Sequence, residues 1–275
     1  MPFDREHRPM PEKLTFVALG SSFAAGPTIE PVADPDAMRS KRNYAHIAAE
    51  RLGANLIDLT VSGATTSTIL EETQLTATGA QFAPQIQGVP ANADIVTITA
   101  GGNDLHFLGS MLFTSWSMNA PDSPLTQMMG QEFTAGIPSP DDDSIEAVVS
   151  GLTRIVSAVR DRAPNARTLL IDYLTIIPAD SAMQDVLPFA PEQTKTFADI
   201  QTALATAFRL AADRSGADLL VASKVSRDHG LGTSTPWVFE FKPEVETTSG
   251  SYHPNESGMR AIADEIVHHL SSCHQ

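Results

Sequence analysis

Five short apolar runs constrain this chain more than any other feature: residues 14–19, 55–61, 94–100, 166–173 and 217–223. They are rich in aliphatic and β-branched residues and do not alternate with polar ones, as strands buried on both faces of a parallel sheet require. Between them lie helical patterns. Ile145, Val148, Val149, Leu152, Ile155, Val156 and Val159 repeat at three and four residues, as do Phe197, Ile200, Leu204, Ala207 and Phe208. A last helix is expected on Met259, Ile262, Ala263, Ile266, Val267 and Leu270. Strand and helix alternating over the whole length predict right-handed βαβ units and an α/β fold. The expected architecture is a three-layer α/β/α sandwich around a parallel five-stranded sheet, in flavodoxin-like strand order.

Composition narrows the function classes. With 275 residues, 42% hydrophobic and 19% charged, the chain can bury one large core, and a single domain over residues 14–272 is expected behind an N-terminal extension, residues 1–13. The net charge of −15 repels phosphate backbones, so nucleic acid is excluded as a partner. One cysteine, Cys273, rules out an intrachain disulfide and a thiolate zinc site. No apolar run reaches the length of a membrane span, and the charged start lacks a signal-like h-region. As the sequence stands, a cytoplasmic location is expected; removal of a leader would make it a secreted protein. Neither a metal nor a cofactor is called for, and the composition leaves the oligomeric state open.

In such sheets ligands bind beyond the carboxyl ends of the strands, and there the loops are small and polar. The first strand runs into Gly20-Ser21-Ser22-Phe23-Ala24-Ala25-Gly26, the second into Ser62-Gly63-Ala64, the third into Gly101-Gly102-Asn103-Asp104. Ser22 stands where a nucleophile needs to be, on a tight turn between strand and helix. The Asn103 amide and the Gly63 N–H could face a developing oxyanion. His253, just before the final helix, has the residue type and location of a general base. Each has a plainer reading beside it: a Gly/Ser turn, an Asn-Asp turn, a loop glycine, a surface histidine. His268, His269 and His274 read as solvated, and His46 and His106 as structural.

Taken together, Ala18 to Gly26, Gly63, Gly101-Gly102-Asn103-Asp104 and His253-Pro254-Asn255 resemble, in order, the four blocks of the GDSL, or SGNH, hydrolases. The resemblance implies a metal-independent serine esterase acting on small-molecule carboxylic esters. It implies Ser22 as nucleophile, His253 as base, and an oxyanion hole of the Ser22 and Gly63 N–H groups with the Asn103 side chain. Two positions depart from the pattern. Ser21 replaces the usual Asp, and Gly250 stands where the family's acid would be, three residues before the histidine. The group that orients His253 is then either a distant carboxylate, with Asp228 the candidate by position, or a backbone carbonyl such as that of Gly250. The alternative function is a catalytically weak member that binds a glycan or another small ligand in the same cleft. An ordinary α/β-hydrolase is excluded, because no Gly-x-Ser-x-Gly elbow occurs.

Residues 105–143 and 224–252 are long stretches with Pro, Ser and Thr and no clear period, expected as loops. The first concentrates apolar residues. Phe107 and Trp116 are candidates there for a substrate-binding wall or lid, against the plainer reading of a packed underside.

Overall fold

The structure is a computed structural model that describes residues 13–180 and 187–272. Apart from Lys13, the expected N-terminal extension lies outside the described residues, as do Cys273 and His274. All five expected strands form: β1 (Thr15–Gly20), β2 (Asn55–Asp58), β3 (Ile95–Thr99), β4 (Arg167–Ile171) and β5 (Asp218–Leu220). They pair in parallel in the order β2-β1-β3-β4-β5, which is the flavodoxin-like order. Every residue of β1 and β3 is buried, which accounts for the missing alternation in their sequences.

The helices are α1 (Ser22–Ala25), α2 (Tyr44–Leu52), α3 (Thr66–Leu70), α4 (Phe107–Asn119), α5 (Pro124–Gly130), α6 (Asp142–Arg162), α7 (Pro191–Ser215), α8 (Ala222–Val225) and α9 (Glu256–Ser272). The step from β1 to β2 runs one way along the sheet, and those from β3 to β4 to β5 run the other. Right-handed crossovers in opposite directions place their helices on opposite faces. Accordingly α2 packs on α9, and α6 packs on α7. The core runs continuously from Phe16 to Leu270, with Phe16, Phe197, Phe208, Ile98 and Leu204 sealed from solvent. Each such side chain contributes about 1.5–3 kcal/mol on burial.

Two features differ from expectation. Residues 107–119 and 124–130 are helices, not loops. The first lacks a helical period because Phe107, Leu108, Ser110, Met111, Thr114, Ser115 and Trp116 are buried around most of its circumference, so no polar face marks its turn. Two small antiparallel ribbons, Val32–Asp34 with Arg39–Ser40 and Gln74–Leu75 with Gln81–Phe82, rise beside the carboxyl ends of β1 and β2. Their strands are too short to leave a pattern. In the second expected loop, residues 224 and 225 close α8 and the rest is irregular, with a single turn of 3-10 helix at Thr248–Gly250.

Candidate active site

Strand order reverses between β1 and β3, and the loops leaving those two strands carry Ser22 and Asn103. Gly20 ends β1 at φ +156°, where a Cβ would lie 2.5 Å from the Thr99 carbonyl oxygen and 2.9 Å from the Ala24 Cβ. Without a side chain the backbone can therefore turn tightly against β3. Buried Gln85 secures this corner from both sides, accepting from the Gly20 N–H (2.8 Å) and donating to its carbonyl (3.0 Å). The turn becomes α1, closed by Gly26 in the left-handed region, whose N–H donates to the Ser22 carbonyl.

The two adjacent serines have separate surroundings. Ser21 is buried, its N–H donates to the Thr99 carbonyl (3.0 Å), and its hydroxyl lies 3.4 Å from the Tyr173 phenol. Ser22 is half-buried, and its Oγ lies 2.7 Å from the His253 Nε2.

His253 is 7% exposed, and its Nδ1 lies 2.9 Å from the Ser251 carbonyl oxygen. A carbonyl only accepts, so in the neutral ring Nδ1 carries the proton and Nε2 presents its lone pair to the serine hydroxyl. Burial pushes the imidazole from its ordinary 6.5 down to about 4; the Ser251 carbonyl opposes this and the Lys242 ammonium adds to it. Residues 236–242 brace this loop. Phe239 N–H donates to the His253 carbonyl (2.9 Å), Tyr252 N–H to the Phe239 carbonyl (3.0 Å), and Lys242 N–H to the Ser251 hydroxyl (2.9 Å). Asn255 donates to the Pro236 carbonyl and accepts the N–H groups of Ser257 and Gly258 at the start of α9.

The carbonyl facing Nδ1 therefore belongs to Ser251. The Gly250 carbonyl points elsewhere, accepting the His253 backbone N–H (3.2 Å). A Cβ at position 250 would overlap the Thr28 hydroxyl and lie 3.1 Å from the Thr28 Cβ. Asp228 is exposed and makes no hydrogen bond to His253. In the same loop His229 stacks on Trp237, with ring centroids 3.9 Å apart.

Gly63 stands at φ +84°, and neither its N–H nor that of Ser22 has an acceptor among the described residues. One N–H of the Asn103 amide donates to the Ala64 carbonyl (2.7 Å), which ties Asn103 to the loop of Gly63 and leaves a second amide hydrogen. The neighbouring Asp104 carboxylate accepts from the Thr66 hydroxyl (2.6 Å) and backbone N–H (3.1 Å), joining the same two loops again. Ser22 and Gly63 open into one cleft of about 430 Å³, whose walls include Met38, Thr68, Gln74, Leu75 and Ser249. None of those five was legible as a wall in the sequence, since they come from the small ribbons, from α3 and from the turn before His253.

Phe107 and Trp116 are not in this cleft. Phe107 is fully buried in the core, and Trp116 packs edge-on against Phe241 and donates its indole N–H to the Thr248 hydroxyl (2.9 Å). Trp116 thereby ties α4 to the loop that precedes His253. His46 contacts Asn43 and His106 contacts Glu132. His269, expected in solvent, is half-buried with its Nε2 3.6 Å from Asp218. Among the described residues no group of three or more His, Cys, Asp or Glu is placed to hold a metal ion. No helix among them is long and apolar enough to cross a membrane.

Comparison with known proteins identifies the family. Residues 18–261 match the GDSL-like lipase/acylhydrolase family. Lipase 2 of Streptomyces coelicolor is 33% identical over 270 residues, covering 92% of this chain and 85% of its own. Among solved structures, an extracellular lipase from Streptomyces rimosus superposes with a TM-score of 0.65 at 21% identity, over 94% of this chain and 99% of that one. Phospholipase A1 from Streptomyces albidoflavus gives 0.70 at 18%, over 95% and 99%. At these identities the two structures establish the shared fold, while the match along the sequence establishes kinship: the chain belongs to the GDSL-like lipase/acylhydrolase family and is a carboxylic ester hydrolase.

Proposed function

We propose that the chain hydrolyses small-molecule carboxylic esters through an acyl-enzyme on Ser22, with His253 as general base and the Ser251 carbonyl in place of a catalytic acid. The observation that carries this reading is the 2.7 Å contact between the Ser22 Oγ and the His253 Nε2, made across 231 residues of sequence. A buried, neutral imidazole is the form that can take a proton. As Oγ attacks the ester carbonyl, its proton passes to Nε2. The carbonyl oxygen becomes an oxyanion facing the Ser22 N–H, the Gly63 N–H and the free Asn103 amide hydrogen. Collapse of the tetrahedral intermediate returns the proton to the departing alcohol, and water repeats the sequence on the acyl-enzyme.

The Ser251 carbonyl can fix the tautomer and ring orientation as a carboxylate does, but it offers the imidazolium a dipole instead of a full charge. The cleft falls within the roughly 300–1,000 Å³ typical of small-molecule sites. A paired, activated serine favours turnover over a purely ligand-binding role. Purified protein is expected to cleave p-nitrophenyl esters, and Ser22→Ala to abolish turnover with the melting transition unchanged. Undiminished turnover in Ser22→Ala would transfer the chemistry to another residue.

A further inference from the structure

Tyr173 follows β4 and belongs to none of the four sequence blocks. Its side chain nevertheless reaches the residues that flank both halves of the site. The phenol oxygen accepts the Gly102 N–H at 2.9 Å and lies 3.4 Å from the Ser21 hydroxyl, and both contacts are buried. Its ring packs on Phe23 with centroids 4.5 Å apart, and Phe23 in turn lies 6.2 Å from the His253 ring. Gly102 immediately precedes Asn103, and Ser21 and Phe23 bracket Ser22. A Cβ on Gly102 would come within 2.6 Å of the phenol oxygen, so the glycine is what lets the hydroxyl reach the backbone.

We propose that Tyr173 is a positioning residue: its phenol locks the backbone entering Asn103 onto the nucleophile turn, and so aims the Asn103 amide at the oxyanion. The Ala64 carbonyl fixes the far end of that side chain. The backbone behind it has no strand to hold it, because β3 ends at Thr99 and Gly101 stands at φ +107°. The phenol supplies the missing acceptor at that point. It can do so as a neutral group, since burial raises its pKa to about 12. A donor aimed at the oxyanion acts on the transition state more than on the bound ester, so its misalignment is expected to appear in kcat.

The inference rests on the Ser22 and Asn103 roles proposed above, and its test separates the two. Tyr173→Phe keeps the ring and removes the oxygen. It is expected to lower kcat on p-nitrophenyl acetate on the order of 10-fold, with KM within about 2-fold, because a misaimed oxyanion donor forfeits part of the 10²–10³ such a donor supplies. Adding Ser21→Asp brings a carboxylate toward the vacated position, where it can accept the Gly102 N–H, and should restore most of the loss. Unchanged kcat in Tyr173→Phe, or a loss of kcat and thermal stability together that Ser21→Asp does not recover, would overturn the inference. Should Tyr173→Phe not fold, the double variant decides: near wild-type turnover supports the positioning role, and an inactive or unfolded double variant overturns it. If Ser22→Ala retained full activity, the Ser22 reading would fail instead, and the two failures are distinct.

Discussion

Residues 105–143 and 224–252 look alike as sequence and do opposite things in the fold. The first coils into α4 and α5 and buries Phe107, Trp116 and Phe133. The second stays mostly irregular, yet it supplies the Ser251 carbonyl that faces the buried imidazole of His253, the residue that follows it. The segment with the more apolar composition is scaffold, and the one with fewer regular hydrogen bonds leads into His253, the base proposed above. They meet where Trp116 donates to Thr248 and the Ser115 hydroxyl meets the Tyr252 phenol (2.5 Å), so the helix stiffens the loop that carries the base. Loops often carry function when a rigid element holds them.

The sharpest way to break this contrast is His253→Ala, for which turnover is expected to fall on the order of 10⁴-fold or more while the fold persists. A small loss would take the role of base away from His253 and the loop that leads into it. Phe107→Ala should act on the other region, costing about 3–5 kcal/mol of stability by denaturant unfolding. Its KM profile across esters of graded acyl length should match that of the parent. A shifted profile at undiminished stability would make α4 a wall of the site after all.

The pH dependence sharpens the same comparison. The folded imidazole holds its proton less firmly than an unfolded one, so the acid limb of kcat/KM should lie below the ordinary 6.5, toward 4. By the same linkage, its contribution to stability is full above 6.5 and declines as the pH falls toward 4, because the unfolded state there binds more protons. A limb near 6.5 would mean that the loop opens to water. The smallest effect is expected from Asp228→Ala, with kcat and KM each within about 2-fold of the parent, as for a solvated charge on an exposed turn. A loss comparable to that of His253→Ala would install Asp228 as the third member.

The five strands and three long helices were legible because their burial is simple: two faces for the strands, one stripe for each helix. Ser22, Gly63, Asn103 and His253 stood out because each falls just past a strand or before a helix, and the structure gathers them beyond the carboxyl ends of the strands. What the sequence could not display depends on partners remote in the chain. Ser251 orients the histidine with a backbone atom, which leaves no residue-type signal, and Tyr173 reads as one more apolar residue closing a strand. α4 was missed for the reason that makes it useful, burial on nearly every side. Gln74 and Leu75 reach the cleft from a two-residue ribbon strand and Met38 from the turn between two others, all shorter than any period.

The crowding of Gly250 by Thr28 has an evolutionary consequence. An aspartate introduced at 250 alone would meet a steric obstacle before it could offer a carboxylate to His253. Position 28 would have to shrink first, and that change by itself gives up the hydroxyl that receives the Lys242 ammonium. The route from dyad to triad is thus epistatic, its first step carrying a cost and no gain. A chain that relies on the Ser251 carbonyl is held to it by the shape of its neighbours.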